Sequence, residues 1–180
     1  LHILPTLWFR NDWSAWIAES NRASGKPELT RNKSSKGISS VTASHKILGD
    51  YILSFEGEVP LLFTENETNH EKLFPGQVNE SPFVKDGIND YVVQGNKDAV
   101  NPGMKGTKVA GHYQVNIGAG KTSVIKIRLA RVSSEGKTGS FGENFDKVFA
   151  ERLKEADEFY KSVTPPSVSA DEANVMRQAL

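Results

Sequence analysis

The chain has 180 residues, enough to bury a full hydrophobic core. Its 22 Lys+Arg balance 22 Asp+Glu, which leaves no net field to draw in nucleic acid or an anionic membrane. The complete lack of cysteine removes disulfides, thiolate zinc sites and cysteine nucleophiles together, and suits a reducing compartment such as the cytoplasm.

In chain order, residues 1–132 read mostly as strands. The first covers Leu1–Arg10, and Pro5 inside it cannot donate to a ladder, which places it at an edge or a bulge. Trp8 sits in this apolar stretch and is expected in the core, whereas Trp13, past the strand end, is expected to wall a pocket or face another domain. Arg10 and Asn11 lie between them. Residues 21–37 hold Arg22, Lys26, Arg31, Lys33 and Lys36 against the single acid Glu28. With no aromatics interleaved they read as a solvated loop, not a nucleic-acid patch. Shorter strands follow at Ile38–Ser44, Tyr51–Phe55, Leu61–Thr64 and Tyr91–Gln94.

Two polar stretches stand out between them. Leu61-Leu62-Phe63 runs into Thr64-Glu65-Asn66-Glu67-Thr68-Asn69-His70-Glu71, where carboxylates and amides suit either an Asx-rich turn bonding its own backbone or the hydroxyls of a sugar. Phe74–Asn89, rich in Pro, Gly and Asn, reads as a long excursion from the sheet. Near its end, Lys85 and Asp86 pose the same choice between a surface pair and a binding role.

His112–Ile117 alternates polar and apolar, as does the stretch through Ile125, Ile127 and Leu129. Gly118-Ala119-Gly120-Lys121 between them reads as a hairpin connection. A phosphate-loop reading of 118–122 fails, because Val115 stands where the first glycine is needed and a strand follows where a helix is needed. His2, His45, His70 and His112 show no metal-ligand spacing, and His112, on the polar side of its strand, is expected to face solvent.

Past Val132 the period changes. Phe145, Val148, Phe149, Leu153, Ala156 and Val163 follow helical spacing, with Lys147/Glu151 and Lys154/Glu158 four apart on the exposed side. Pro165-Pro166 ends that helix and Ser169-Ala170-Asp171-Glu172 opens another as a capping box. The expected fold is therefore mainly β, an antiparallel β-sandwich followed by C-terminal α-helices. Residues 1–140 form the sandwich segment, 141–164 a linker helix, and 165–180 the start of a truncated helical domain. Both ends read as cut from a longer protein.

Leu4-Pro5-Thr6-Leu7-Trp8-Phe9-Arg10-Asn11 with Trp13, LLFTENETN at 61–69, Lys85-Asp86-Gly87-Ile88-Asn89, Asn101-Pro102, Gly106-Thr107-Lys108 and Glu155–Tyr160 occur here in order, with Val175–Ala179 after them. Together they resemble the bacterial glucosidase-type proteins related to glycoside hydrolase family 63. The match leaves out the basic stretch 21–37, and Asp12 stands where that pattern has Thr. The resemblance implies the later half of a large, supersandwich-like β domain, joined to an α/α toroid. It also implies hydrolysis, with inversion, of α-linked glucosyl or related oligosaccharides, without cofactor or metal. Inversion needs two carboxyl groups roughly 6.5–9.5 Å apart. In the family both come from the toroid, so no catalytic residue is assigned here.

Glu155, Asp157 and Glu158 read as part of the linker helix. The substrate-proximal candidates are Arg10, Asn11, Trp13, Glu65, Asn66, Glu67, Lys85 and Asp86. The implied partners are an oligosaccharide bound by the parent enzyme and the toroid of the same chain. A carbohydrate-binding module and a purely structural interdomain scaffold are the alternative readings.

Overall fold

A computed structural model describes residues 1–11, 25–33, 37–132 and 141–179. Residues 1–138 and 139–180 form two compact units.

Among the described residues, the first unit is mainly β, with three antiparallel sheets. The largest is built on the hairpin of β4 (Ile38–His45) and β5 (Gly49–Glu56), which turns at Gly49 with φ +81°. β3 (Glu28–Arg31) adds to β4 and β7 (Lys105–Gly106) to β3, while β10 (Ile127–Arg131) adds to β5. A three-stranded sheet places β8 (Lys108–Gly111) between β2 (Thr6–Trp8) and β6 (Leu61–Thr64). A two-stranded ribbon joins β1 (His2–Ile3) to β9 (Tyr113–Gln114).

The two larger sheets face each other. Leu29, Val41, Leu53 and Phe55 of the five-stranded sheet and Leu61, Phe63 and Val109 of the three-stranded sheet make one buried cluster. Side chains alternate along a strand and cross-strand partners share a face. Leu62 and Ala110, which pair across β6 and β8, therefore point the other way, where Ile88 of α2 (Gly87–Gln94) packs on them. The three-stranded sheet is thus covered on both faces over its middle. This explains the unbroken apolar run at 61–63, all buried with Thr64.

Four sequence expectations change. Residues 28–31 belong to a strand within the five-stranded sheet, not to a solvated loop. Leu29 is fully buried while Glu28, Thr30 and Arg31 are exposed, so one apolar anchor in a basic run suffices. Tyr91–Gln94 is the end of a helix. Ile88, Tyr91 and Val92 serve one face, which packs on the sheet, Val93 points out, and Gly95 closes the helix in the left-handed region at φ +71°. The strands on either side of Gly118–Lys121 do not form a hairpin, because β9 pairs with β1 and β10 with β5, in different sheets. Trp8 is 56% exposed instead of core. Its neighbour Leu7 packs into the inter-sheet cluster, and the alternation turns the indole to the opposite face. The Leu1–Arg10 strand also breaks at Pro5, where the chain passes from the ribbon to the three-stranded sheet. The Pro5 carbonyl still accepts from Gly111 N–H at 3.0 Å.

The second unit contains α3 (Glu143–Val163) and α4 (Ala170–Ala179). Thr164 and the proline pair end α3, and the capping box starts α4. Ser169 N–H and Oγ both bond the Glu172 carboxylate, at 2.7 and 2.8 Å, and Glu172 N–H returns a bond to Ser169 Oγ. The Ser169 backbone N–H, helped by its hydroxyl, holds the Glu172 carboxyl below its usual range. Lys147–Glu151 and Lys154–Glu158 pair along α3 at 4.0 and 3.7 Å. Glu155 pairs with Arg152, and Arg177 of α4 reaches Asp157 while its guanidinium lies 5.2 Å from the Tyr160 ring centroid. Glu155, Asp157 and Glu158 thus each have a cation of their own unit.

Candidate functional site

β2 and β6 both run antiparallel to β8, so they are parallel to each other and their C-terminal ends lie at one end of the three-stranded sheet. Arg10 and Asn11 follow β2, and Glu65, Asn66 and Glu67 follow β6. Thr107, just before β8, enters from the other direction. Residues far apart in sequence therefore meet at this strand end.

Hydrogen bonds fix the arrangement. Asn66 Nδ2 donates to the Phe9 carbonyl at 2.8 Å, tying the segment after β6 to the end of β2. The hydroxyl of Thr107, a residue only 1% exposed, accepts from Asn66 N–H at 2.8 Å and donates to Glu65 Oε2 at 2.7 Å. Lys26 Nζ bridges Glu65 at 3.0 Å and Glu67 at 3.3 Å, joining the chain that enters β3 to the same corner. Burial works against the Lys26 ammonium. The hydrogen bond and charge of Glu65, then those of Glu67, outweigh it and hold the group above its usual range.

The outer wall is the polar excursion. Glu65 N–H donates to the Phe83 carbonyl at 2.7 Å and Lys85 N–H to the Glu67 carbonyl at 3.1 Å, so the excursion returns alongside residues 65–67. Lys85 Nζ bonds Thr68 Oγ1 at 3.0 Å, whereas Asp86 bonds Asn69 Nδ2 at 3.1 and 3.3 Å and pairs with Lys72 at 3.4 Å. Lys85 and Asp86 thus have separate partners. Asn69 also caps the short helix α1 (His70–Leu73) through Lys72 N–H, and Asn79 locks the far side by bonding Asn69, His70 and Glu71. The reading of a turn that bonds its own backbone therefore holds for Asn69, which caps Lys72 N–H, whereas Glu65–Glu67 make tertiary contacts. Lys108 Nζ donates to the Lys85 carbonyl at 3.3 Å, and burial, then the Lys85 charge, bring its ammonium below the usual range.

A cleft of about 190 Å³ opens here, lined by Lys26, Glu65, Asn101, Lys105, Gly106 and Thr107 among others. It offers carboxylate, hydroxyl, amide and ammonium groups within one small volume, a set able to bind a polyol or sugar edge. Among the candidates, Arg10 is exposed, and no hydrogen bond or ion pair holds its side chain among the described residues, so it is free to meet a ligand. Trp13 lies outside the described residues. Two members of the site escaped the sequence reading. Lys26 was absorbed in the basic run, and Thr107 was visible only within Gly106-Thr107-Lys108.

Thr107→Val keeps the side-chain shape but removes both hydroxyl bonds. It should lower stability by about 1–2 kcal/mol, seen as a lower urea midpoint at unchanged slope. An unchanged midpoint would show that Asn66 N–H and Glu65 find other partners.

Comparison with known proteins adds one relative. No protein-family model and no solved structure matches the chain. Uncharacterized protein YMR196W of Saccharomyces cerevisiae is 33% identical over 210 aligned positions, which take in 99% of this chain and 19% of the yeast protein. The chain therefore spans about one fifth of the length of that relative.

Proposed function

We propose that this chain is the non-catalytic β-sandwich segment of a glycoside hydrolase of the inverting α-glucosidase kind, acting on α-linked glucosyl or related oligosaccharides. One observation carries the reading most. Seven of the eight candidate residues, spread from Arg10 to Asp86, lie on the segments that converge at one end of the three-stranded sheet, beside a polar cleft. Strand ends and the loops after them are where a rigid scaffold presents contacts to a ligand.

In this reading the roles divide. Lys26, Glu65, Glu67, Asn66 and Thr107 hold the corner in shape, and Arg10 with Asn11 and the cleft rim meet the sugar. The two catalytic carboxyl groups belong to a helical toroid elsewhere in the parent protein, which resides in the cytoplasm. The great length of the yeast relative beyond the matched region leaves room for such a domain.

The test is hydrolysis by the full-length protein that contains this segment. It should release sugar of inverted anomeric configuration from α-linked glucosides, followed by NMR in the first minutes. Arg10→Ala should raise KM more than it lowers kcat. No release from any α-linked oligosaccharide would overturn the enzyme reading.

The exposed Trp8, next to this corner, favours a second reading as a carbohydrate-binding module. An indole face on a strand end is a common stacking surface for a sugar ring. Titrating the 180-residue chain with oligosaccharides while following tryptophan fluorescence separates the two. Saturable binding that Trp8→Ala abolishes would favour the module, and no response would favour a segment that needs its catalytic domain.

A further inference from the structure

His112 was expected to face solvent and instead is buried at the corner where β8 passes into β9. Its N–H donates to the Pro60 carbonyl at 2.9 Å, which fixes the corner. The ring is sandwiched between two elements. His2 of β1 meets it edge to edge, with centroids 5.0 Å apart and planes 22° from parallel, and Tyr91 of α2 meets it edge-on at 6.0 Å. At that edge, His2 Nδ1 and His112 Nε2 are 2.7 Å apart.

Two imidazole nitrogens at that distance make a hydrogen bond only if one carries a proton and the other does not. The geometry is satisfied when both rings are neutral or when they hold one extra proton between them, provided a lone pair remains at the contact. It fails when both rings are cations, since two N–H groups then face each other and two like charges are held side by side. Among the described residues, nothing nearby neutralises a second charge. From α2 the neighbour is Tyr91. From β9 it is Tyr113, whose phenol donates to the Glu56 carbonyl and is pushed up to about 12 by burial and then by Glu56. From β1, the Leu1 nitrogen donates to the Val115 carbonyl at 3.0 Å and leaves both rings to themselves. Among the described residues neither imidazole has a carboxylate partner, and the charge felt by His112 is that of His2.

The element that depends on this contact is slight. β1 meets β9 through two residue pairs, His2 with Gln114 and Ile3 with Tyr113, extended by Val115 N–H to the Leu1 carbonyl at 3.0 Å. Leu4, directly after β1, packs against Leu62, Ile88 and Ala110 beneath α2. We propose that the His2–His112 pair is an acid-released latch. While the rings share at most one extra proton, β1 stays docked on β9. When both are protonated, the ribbon opens and the apolar surface under α2 loses its cover at Leu4.

The sign follows from the burial. Burial, then the His2 charge, lowers the His112 pKa, so folding disfavours its cation. The contribution of the pair is complete above the ordinary imidazole range, near about pH 6.5, and is lost as the pH falls through and below it.

The test is amide hydrogen exchange of the full 180-residue chain, with the imidazole carbon-bound protons titrated by NMR in the same samples. The protection factor of Val115 N–H should fall about tenfold or more between roughly pH 7.5 and pH 5, with the midpoint of the histidine titration. Val109 N–H, inside the three-stranded sheet, should keep its protection. His2→Gln retains a hydrogen-bonding side chain that does not titrate, and should make Val115 protection independent of pH. Equal Val115 protection at both pH values would overturn the latch. So would an unchanged pH response in His2→Gln, or loss of Val109 protection in parallel, which would mean global acid unfolding.

Discussion

Phe63→Ala should cost about 3–5 kcal/mol of stability, the range for deleting a fully enclosed aromatic side chain. Phe63 has no exposed surface and pairs with Val109 in the three-stranded sheet, where both face Leu29, Val41, Leu53 and Phe55 of the opposite sheet. The cavity would open at the centre of the sandwich. The rigid strands of two sheets border it, so little collapse can fill it. Urea unfolding of the chain should show a much lower midpoint at unchanged slope. Because a domain this size is stable by only about 5–15 kcal/mol, partial unfolding at 37 °C is expected as well. A loss below about 1 kcal/mol would mean that the two sheets do not pack through Phe63.

Gly106→Ala is the second large effect, and it falls on the candidate site. A methyl group at Gly106 would lie 2.4 Å from the Thr64 carbonyl oxygen and 2.9 Å from its carbon. Both are backbone atoms at the end of β6, so no rotamer change relieves the contact. β7 must move away from β6, and Thr107 N–H would lose its 3.1 Å bond to the same carbonyl. The Thr107 hydroxyl would then leave Glu65 and Asn66. The expected loss is at the upper end of about 1–3 kcal/mol, with faster exchange at Asn66 N–H. Gly118→Ala is the control, since its methyl group would meet Lys121 Cγ at an ordinary 3.6 Å and should change little.

The contrast between Gly106 and Gly118 shows why the glycines were hard to rank from sequence. Gly106 ends the two-residue strand β7 and Gly118 follows the two-residue strand β9, and nothing in the neighbouring sequence distinguishes them. What differs is another strand's backbone, brought to Gly106 by a pairing that spans some forty residues (Thr107 to Thr64). The same holds for Lys26. Its charged neighbours in sequence made it one cation of a solvated run. Its meaning comes from Glu65 and Glu67, which reach it only after β6 and β3 are placed on facing sheets.

Local pattern was sufficient where the fold is set by local physics. The strands expected at 38–44 and 51–55, the apolar run at 61–63 and the helical period from 145 to 163 each appear as the element they suggested. So does the capping box at Ser169, with both of its reciprocal bonds. These depend on side-chain direction and on groups within a few residues, which the order of amino acids states directly. The mainly-β class with helices after it follows from them.

What needed the folded chain was every decision about which face and which partner. Trp8 and Leu7 are equally apolar neighbours. The five-stranded sheet covers only Leu7, and α2 covers Leu62 and Ala110 on the other face while Trp8 stays open. The residues around Tyr91 suit a strand by composition, but the space over Leu62 and Ala110 is filled by a helix packed on them. His112 follows a polar alternation, yet the chain changes sheets there and brings it against His2, 110 positions away. Solvation of each such group is settled by what else arrives at its surface. That depends on long-range sheet pairing, a property of the whole chain that no window of neighbouring residues contains.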